Sequence, residues 1–200
     1  MQNTGRLEMI TGCMFSGKSG EVIRRIERTQ RISTRSKIQV FNSRLDERYD
    51  TAKVVTHSGG KMKAETADKA DAVRRLVKKE TEVVVIDEVQ FFDDAIVDVI
   101  EGLVRDGRRV IAAGLDLDFR GEPFGPMPQL LARADKVEKL TAICTVCKAP
   151  ATRTQRLVDG QAATYDEPIV VVGAADKYEA RCLRHHEVRM DDSQRELAFG

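Results

Sequence analysis

The chain has 200 residues, 42% hydrophobic and 32% charged, which is enough apolar material to bury the core of one domain with at most a small satellite. Its 33 basic and 32 acidic side chains leave a formal net charge of +1, so the whole-chain electrostatic footprint of a dedicated nucleic-acid binder is missing. No apolar run approaches the roughly 20 residues of a membrane span, residues 1–6 lack the apolar stretch of a signal peptide, and 4 cysteines are too few for a disulfide scaffold; a reducing cytoplasm is the expected setting.

Leu7-Glu8-Met9-Ile10-Thr11 reads as a short buried strand running into a glycine-bearing loop. A helix follows, with Val22, Ile23 and Ile26 on one face and Arg24, Arg25, Arg28 and Arg31 mostly turned elsewhere. Ile38–Phe41 is a second strand, and residues 43–66 read as polar and irregular, with a turn at Gly59-Gly60. Ala70, Val73, Leu76 and Val77 mark another amphipathic helix. Val83-Val84-Val85-Ile86, ending at Asp87, is a continuous apolar run of the kind buried on both faces of a parallel sheet. Ile96, Val99, Ile100 and Leu103 give a third helix that closes near Gly107, and residues 110–115 give another buried strand. Pro123, Pro126 and Pro128 break the chain before a short helix, and residues 136–140 form the last strand of the series.

This alternation predicts an α/β fold with a parallel sheet flanked by helices over residues 1–141, and the glycine loop at residues 12–19 makes it the phosphate-loop NTPase type. Residues 142–190 read as a small metal-stapled module with a long loop, and 191–200 as a tail.

Gly12-Cys13-Met14-Phe15-Ser16-Gly17-Lys18-Ser19 matches G-x-x-x-x-G-K-[ST], with the required strand before it and helix after it. Glycines let successive backbone N–H groups converge on phosphate oxygens, and the helix adds its positive end. Lys18 supplies a mobile cation to the β/γ bridge, and the Ser19 hydroxyl suits a magnesium position. Asp87 and Glu88 end an apolar strand, where ligands of open α/β sheets bind. Asp87 suits Mg²⁺, and Glu88 can take a proton from an attacking group. An attacking water would make an ATPase, and a bound alcohol would make a kinase.

Cys144-x-x-Cys147 pairs with Cys182-x-x-His185, a four-ligand set for tetrahedral structural Zn²⁺. His186 competes for the fourth position, and the repeated x-x spacing favours His185.

Taken together, residues 12–19, Asp46-Glu47-Arg48-Tyr49, Asp87-Glu88-Val89-Gln90-Phe91-Phe92, residues 114–125 (GLDLDFRGEPFG), both knuckles and Val172-Gly173-Ala174-Ala175-Asp176-Lys177-Tyr178 resemble the type II, cytosolic-type thymidine kinases. The resemblance implies transfer of the ATP γ-phosphate to the 5′-hydroxyl of thymidine, and also of deoxyuridine, in pyrimidine deoxynucleotide salvage. It implies Glu88 as general base, and ATP contacts from Gly12, Cys13, Met14, Phe15, Ser16, Gly17, Lys18, Ser19, Arg48, Asp87, Glu88, Val89 and Gln90. Ser19, Asp87 and Asp46 would serve Mg²⁺. Met14, Phe91, Leu115, Phe119, Phe124 and Tyr178 would line the nucleoside pocket, with backbone groups of Val171, Val172 and Gly173 on the thymine edge. Phe92 is assigned to the core. Residues 148–173 would be a lid tied down by zinc, and the assembly a homotetramer. Three positions depart from the family pattern: His185 replaces a cysteine, Val89 a common glycine, and Ala174 a frequent second glycine. The competing reading is a zinc-bearing phosphate-loop ATPase acting on nucleic acid, supported by the Arg24-Arg25 and Arg28-Arg31 clusters.

Overall fold

The computed structural model describes residues 4–32, 37–43, 53–55, 61–170 and 177–190, with only the backbone for 53–55 and 61–63. In chain order the first elements are β1 (Arg6–Thr11), α1 (Lys18–Ile32), β2 (Ile38–Ser43), β3 (Lys53–Val55), β4 (Lys61–Lys63), β5 (Glu65–Ala67), α2 (Ala70–Leu76) and β6 (Val83–Asp87). Then come α3 (Ala95–Arg105), β7 (Arg109–Gly114), α4 (Met127–Arg133) and β8 (Lys136–Lys139). The central sheet has six strands in the order β5-β2-β6-β7-β1-β8, and its paired strands all run parallel.

Alternation along each strand divides the core in two. Successive side chains point to opposite faces, so Met9 and Ile10, or Val84 and Val85, enter different layers. One layer packs Val22 and Ile26 of α1 on Ile10, Val40, Val85, Ile111 and Ala113. The other packs Val73, Ile96, Ile100 and Leu130 from α2, α3 and α4 on Met9, Phe41, Val84, Ile86 and Ala112, and Phe92 lies here, as expected. Ile100 and Ile111 are fully buried, so truncating either to alanine should cost about 2–5 kcal/mol.

Arg25 departs from the sequence reading. It is turned inward, buried, and ion-paired with Glu8, Glu21 and Glu138, so it is spent inside the fold and adds nothing to a basic docking face. The segment 43–66 is also not simply irregular. Strands β3 and β4 pair antiparallel, and β5 joins β2 at the sheet edge.

The C-terminal part contains β9 (Ala142–Ile143), β10 (Pro150–Ala151), β11 (Arg153–Val158), β12 (Gln161–Ala162) and β13 (Tyr178–Arg181). The described part of the expected loop 148–173 therefore contains three strands, with β10 on β9 and β11 between β12 and β13. Its polar composition hid this. Thr154, Gln155 and Arg156 are buried, and Gln155 exchanges side-chain hydrogen bonds with the backbone of Glu187. Asp159-Gly160, with φ of 51° and 77°, is the two-residue hairpin turn that joins β11 to β12.

Candidate nucleotide and metal sites

The glycine loop leaves β1 at its C-terminal end, as the motif requires. Gly12 has φ +137°, and a Cβ there would lie 2.3 Å from the Leu140 carbonyl oxygen. Only glycine fits that turn. Lys18 is buried, and its ammonium donates to the carbonyl oxygens of Gly12 at 3.1 Å and Cys13 at 2.9 Å. It thus lies across its own loop. The Cys13 thiol donates to the Ala151 carbonyl at 3.3 Å, and burial pushes its pKa up. The Met14 amide donates to Thr154 Oγ1 at 3.1 Å. Ser16 Oγ is buried without a hydrogen-bond partner, and Ser19 is half-buried on the first turn of α1.

Asp87 and Glu88 sit at the same edge of the sheet. Strands β6 and β1 both flank β7, so their ends lie about 10 Å apart. Asp87 is buried, and its Oδ1 accepts the Glu88 amide at 2.9 Å. Glu88 adopts a left-handed conformation, φ 51° and ψ 42°, which is uncommon for a residue with a Cβ. The Gln90 amide holds it, donating to Glu88 Oε2 at 2.6 Å while Gln90 Oε1 accepts the Leu115 amide at 3.1 Å. Gln90 and Val89 are themselves buried.

Phe91 and Phe124 meet edge to face at 5.5 Å, a favoured ring geometry. Gly125, at φ +48°, backs onto the Gln90 carbonyl. Leu115, Phe119 and Met14 are buried. Two guanidinium groups lie near the Phe119 ring, Arg156 at 5.4 Å and Arg120 at 5.5 Å from its centroid, and Tyr178 is the register partner of Arg156. Asp46, Arg48, Val171, Val172 and Gly173 lie outside the described residues, as does the tail from 191.

Sequence reasoning missed several polar residues here. Asp116 is buried against Lys139 at 2.6 Å. Arg156 pairs with Glu167 at 3.5 Å and donates to the Pro168 carbonyl. Arg120 covers Tyr165 at 4.5 Å. Only the hairpin dipeptide Asp159-Gly160 could have signalled that the strand carrying Thr154 and Arg156 exists.

The two knuckles meet. The ligand atoms of Cys144, Cys147, Cys182 and His185 all lie within 4.8 Å of one another. Cys147 and Cys182 sulfurs are 3.7 Å apart, and His185 Nδ1 is 3.2 Å from Cys182 and 3.9 Å from Cys144. Tetrahedral zinc–thiolate bonds demand sulfur separations of about 3.8 Å, so the cluster could hold a zinc ion with no position left open. Burial opposes the Cys144 thiolate, yet backbone N–H groups of Cys147, Cys182 and Val146 bring its pKa down to about 6. That suits a metal ligand. His186 faces away, its Nε2 2.8 Å from the Phe119 carbonyl, and burial lowers its pKa.

A parallel sheet with flanking helices, a glycine loop opening the first helix and a Cys/His cluster near the C-terminus define a phosphate-loop nucleotide-binding protein with a metal module. A family model described as thymidine kinase matches residues 5–186, and the chain belongs to the thymidine kinase family. The family implies a phosphotransferase. Among solved structures, it is similar to the X-ray structure of the Legionella pneumophila ATPase DotB, with 14% identity and a TM-score of 0.45, covering 75% of this chain and 44% of that one. The chain thus spans under half of that protein's length. A second structure, titled an ATPase, matches with 14% identity and a TM-score of 0.45 over 92% of this chain and 84% of the other. No helix among the described residues is long and apolar enough to cross a membrane.

Proposed function

We propose that this chain transfers the γ-phosphate of ATP to the 5′-hydroxyl of thymidine, and also of deoxyuridine, giving the nucleoside monophosphate and ADP. The observation that carries this reading is Glu88, strained and oriented by Gln90 at the sheet edge where the phosphate loop opens. The alcohol oxygen forms a bond to the γ-phosphorus, the bond from that phosphorus to the bridging oxygen breaks, and Glu88 accepts the hydroxyl proton. The loop amides and Lys18 hold the triphosphate, which requires Lys18 to leave its own carbonyls. Bound with ATP, magnesium would supply charge neutralisation at the β/γ oxygens. Ser19, Asp87 and Asp46 are the residues for it, all hard oxygen donors of the kind Mg²⁺ prefers. Arg48 would lie near the transferring phosphate, and Val89 and Gln90 would complete the ATP surroundings.

Met14, Phe91, Leu115, Phe119, Phe124 and Tyr178 form the apolar slot, which a flat pyrimidine needs, with Val171, Val172 and Gly173 on its polar edge. Residues 1–141 act as the ATP-binding unit and 142–190 as the zinc module with its lid. A cytoplasmic homotetramer completes the reading. ATP consumption should require added thymidine. Consumption that responds to DNA or RNA instead would overturn the kinase in favour of a nucleic-acid ATPase.

A further inference from the structure

The metal module and the phosphate loop are joined at one peptide bond. A trans peptide fixes its C=O and N–H in opposite directions. In the Cys13–Met14 peptide, the Cys13 carbonyl accepts from Lys18 Nζ at 2.9 Å, and the Met14 N–H donates to Thr154 Oγ1 at 3.1 Å. The two contacts cannot turn independently. Thr154 therefore sets the plane of the peptide on which the lysine ammonium rests. It turns the Met14 amide toward the module and the carbonyl toward Lys18.

Thr154 is itself held from the metal cluster. It is buried and pairs across β11 and β13 with Ala180, two residues before Cys182. On the other side, Cys13 donates to Ala151, which pairs with Ala142, two residues before Cys144. The Ala180 carbonyl accepts the Thr145 amide at 3.0 Å, closing the two routes on each other. Cys13, Ala142, Cys144, Ala151 and Ala180 form a single apolar cluster, with Cys182 against it. A loop cysteine and two metal-cluster cysteines thus share one small core.

We propose that Thr154 is a positioning residue for the phosphate loop, and that metal occupancy of the Cys/His cluster sets nucleotide affinity through it. The proposal rests on the reading of residues 12–19 as the nucleotide site, but not on the identity of the acceptor. In Thr154→Val the shape is kept and the acceptor oxygen is lost, which removes the hydrogen bond from the Met14 N–H. Loss of such a partner corresponds to about a tenfold change in an equilibrium constant, or somewhat more.

The test is equilibrium binding of a non-hydrolysable ATP analogue with magnesium and without nucleoside, alongside hydrogen exchange of the peptide covering residues 12–19. Zinc-loaded Thr154→Val should bind the analogue about tenfold more weakly, and Thr154→Ser, which keeps the hydroxyl, should bind like the parent. Chelating zinc from the parent protein should weaken binding by at least as much and speed exchange in the loop. Equal affinity for the Val and Ser variants, or unchanged loop exchange and affinity after verified metal removal, overturns the proposal. If the parent protein binds no analogue at all, the nucleotide site itself is misread.

Discussion

The two ends of the parallel sheet treat buried polar groups in opposite ways. At the N-terminal end, Glu8 is buried and paired with Arg6, Arg25 and Arg109, and Arg25 continues to Glu138. Arg109 also donates to Thr29. At the C-terminal end, Asn42 Oδ1, Asp116 Oδ1 and Ser16 Oγ are buried with no hydrogen-bond partner. Native proteins seldom leave such atoms unmatched. The first end is closed on itself and contributes to stability; the second keeps polar capacity for molecules that arrive. The division is not absolute, since Arg108 Nε is also unmatched.

The sharpest way to break this comparison is Glu88→Gln. Turnover should fall by about 10²–10⁴-fold if Glu88 is the general base, with thermal stability unchanged and ATP still bound. Unchanged turnover would remove the base role. Glu8→Gln is the complementary change. It should destabilise the fold by about 1.5–3 kcal/mol, because Arg25 and Arg109 each lose a buried charged partner while Arg25 keeps Glu21 and Glu138. KM for ATP should stay near the parent value in whatever fraction remains folded. A large KM effect with no change in denaturant midpoint would show that the two ends are not separate.

Acid sharpens the same distinction. Burial works to raise the Glu8 pKa, but the guanidinium groups of Arg109 and Arg6 overcome it and hold the carboxyl at about 2, against 4.5 ordinarily. A depressed pKa means the unfolded chain binds the proton more readily. The stabilisation is therefore complete above the unfolded value, erodes as pH falls below it, and is gone near 2. Its size is about 3 kcal/mol. Denaturant midpoints measured from pH 6 to pH 2 should fall more steeply for the parent than for Glu8→Gln; parallel curves would show that other carboxylates carry the acid response. The smallest effect is expected for Gln90→Met, which removes the contact that orients Glu88. About a tenfold loss in kcat is expected. An unaltered kcat would show that the left-handed backbone alone orients the carboxylate.

What was legible in the sequence follows from how local each signal is. The glycine loop lies within eight consecutive residues, and each knuckle within four, so spacing alone announced the phosphate cradle and the metal cluster. The apolar run at residues 83–86 announced its own strand. The fold of residues 150–162 was not announced, because β11 is a strand of Thr, Gln and Arg whose burial depends on partners 22 to 32 residues away, among them Ala180 and Glu187. Arg25 was read as surface because its partner Glu8 lies 17 positions off, on another element.

By itself, the sequence determined the alternation of strands and helices, the phosphate loop and the Cys/His set that could hold a metal ion, since each depends on backbone geometry or donor chemistry over a few neighbouring residues. Only the tertiary structure decided that Gln90 would hold Glu88, that Arg25 would turn inward, and that Thr154 would meet Met14 140 positions away. Those pairings arise when the sheet and the strand module close on one another, and burial then requires each polar group to find whatever partner that closure brings within reach.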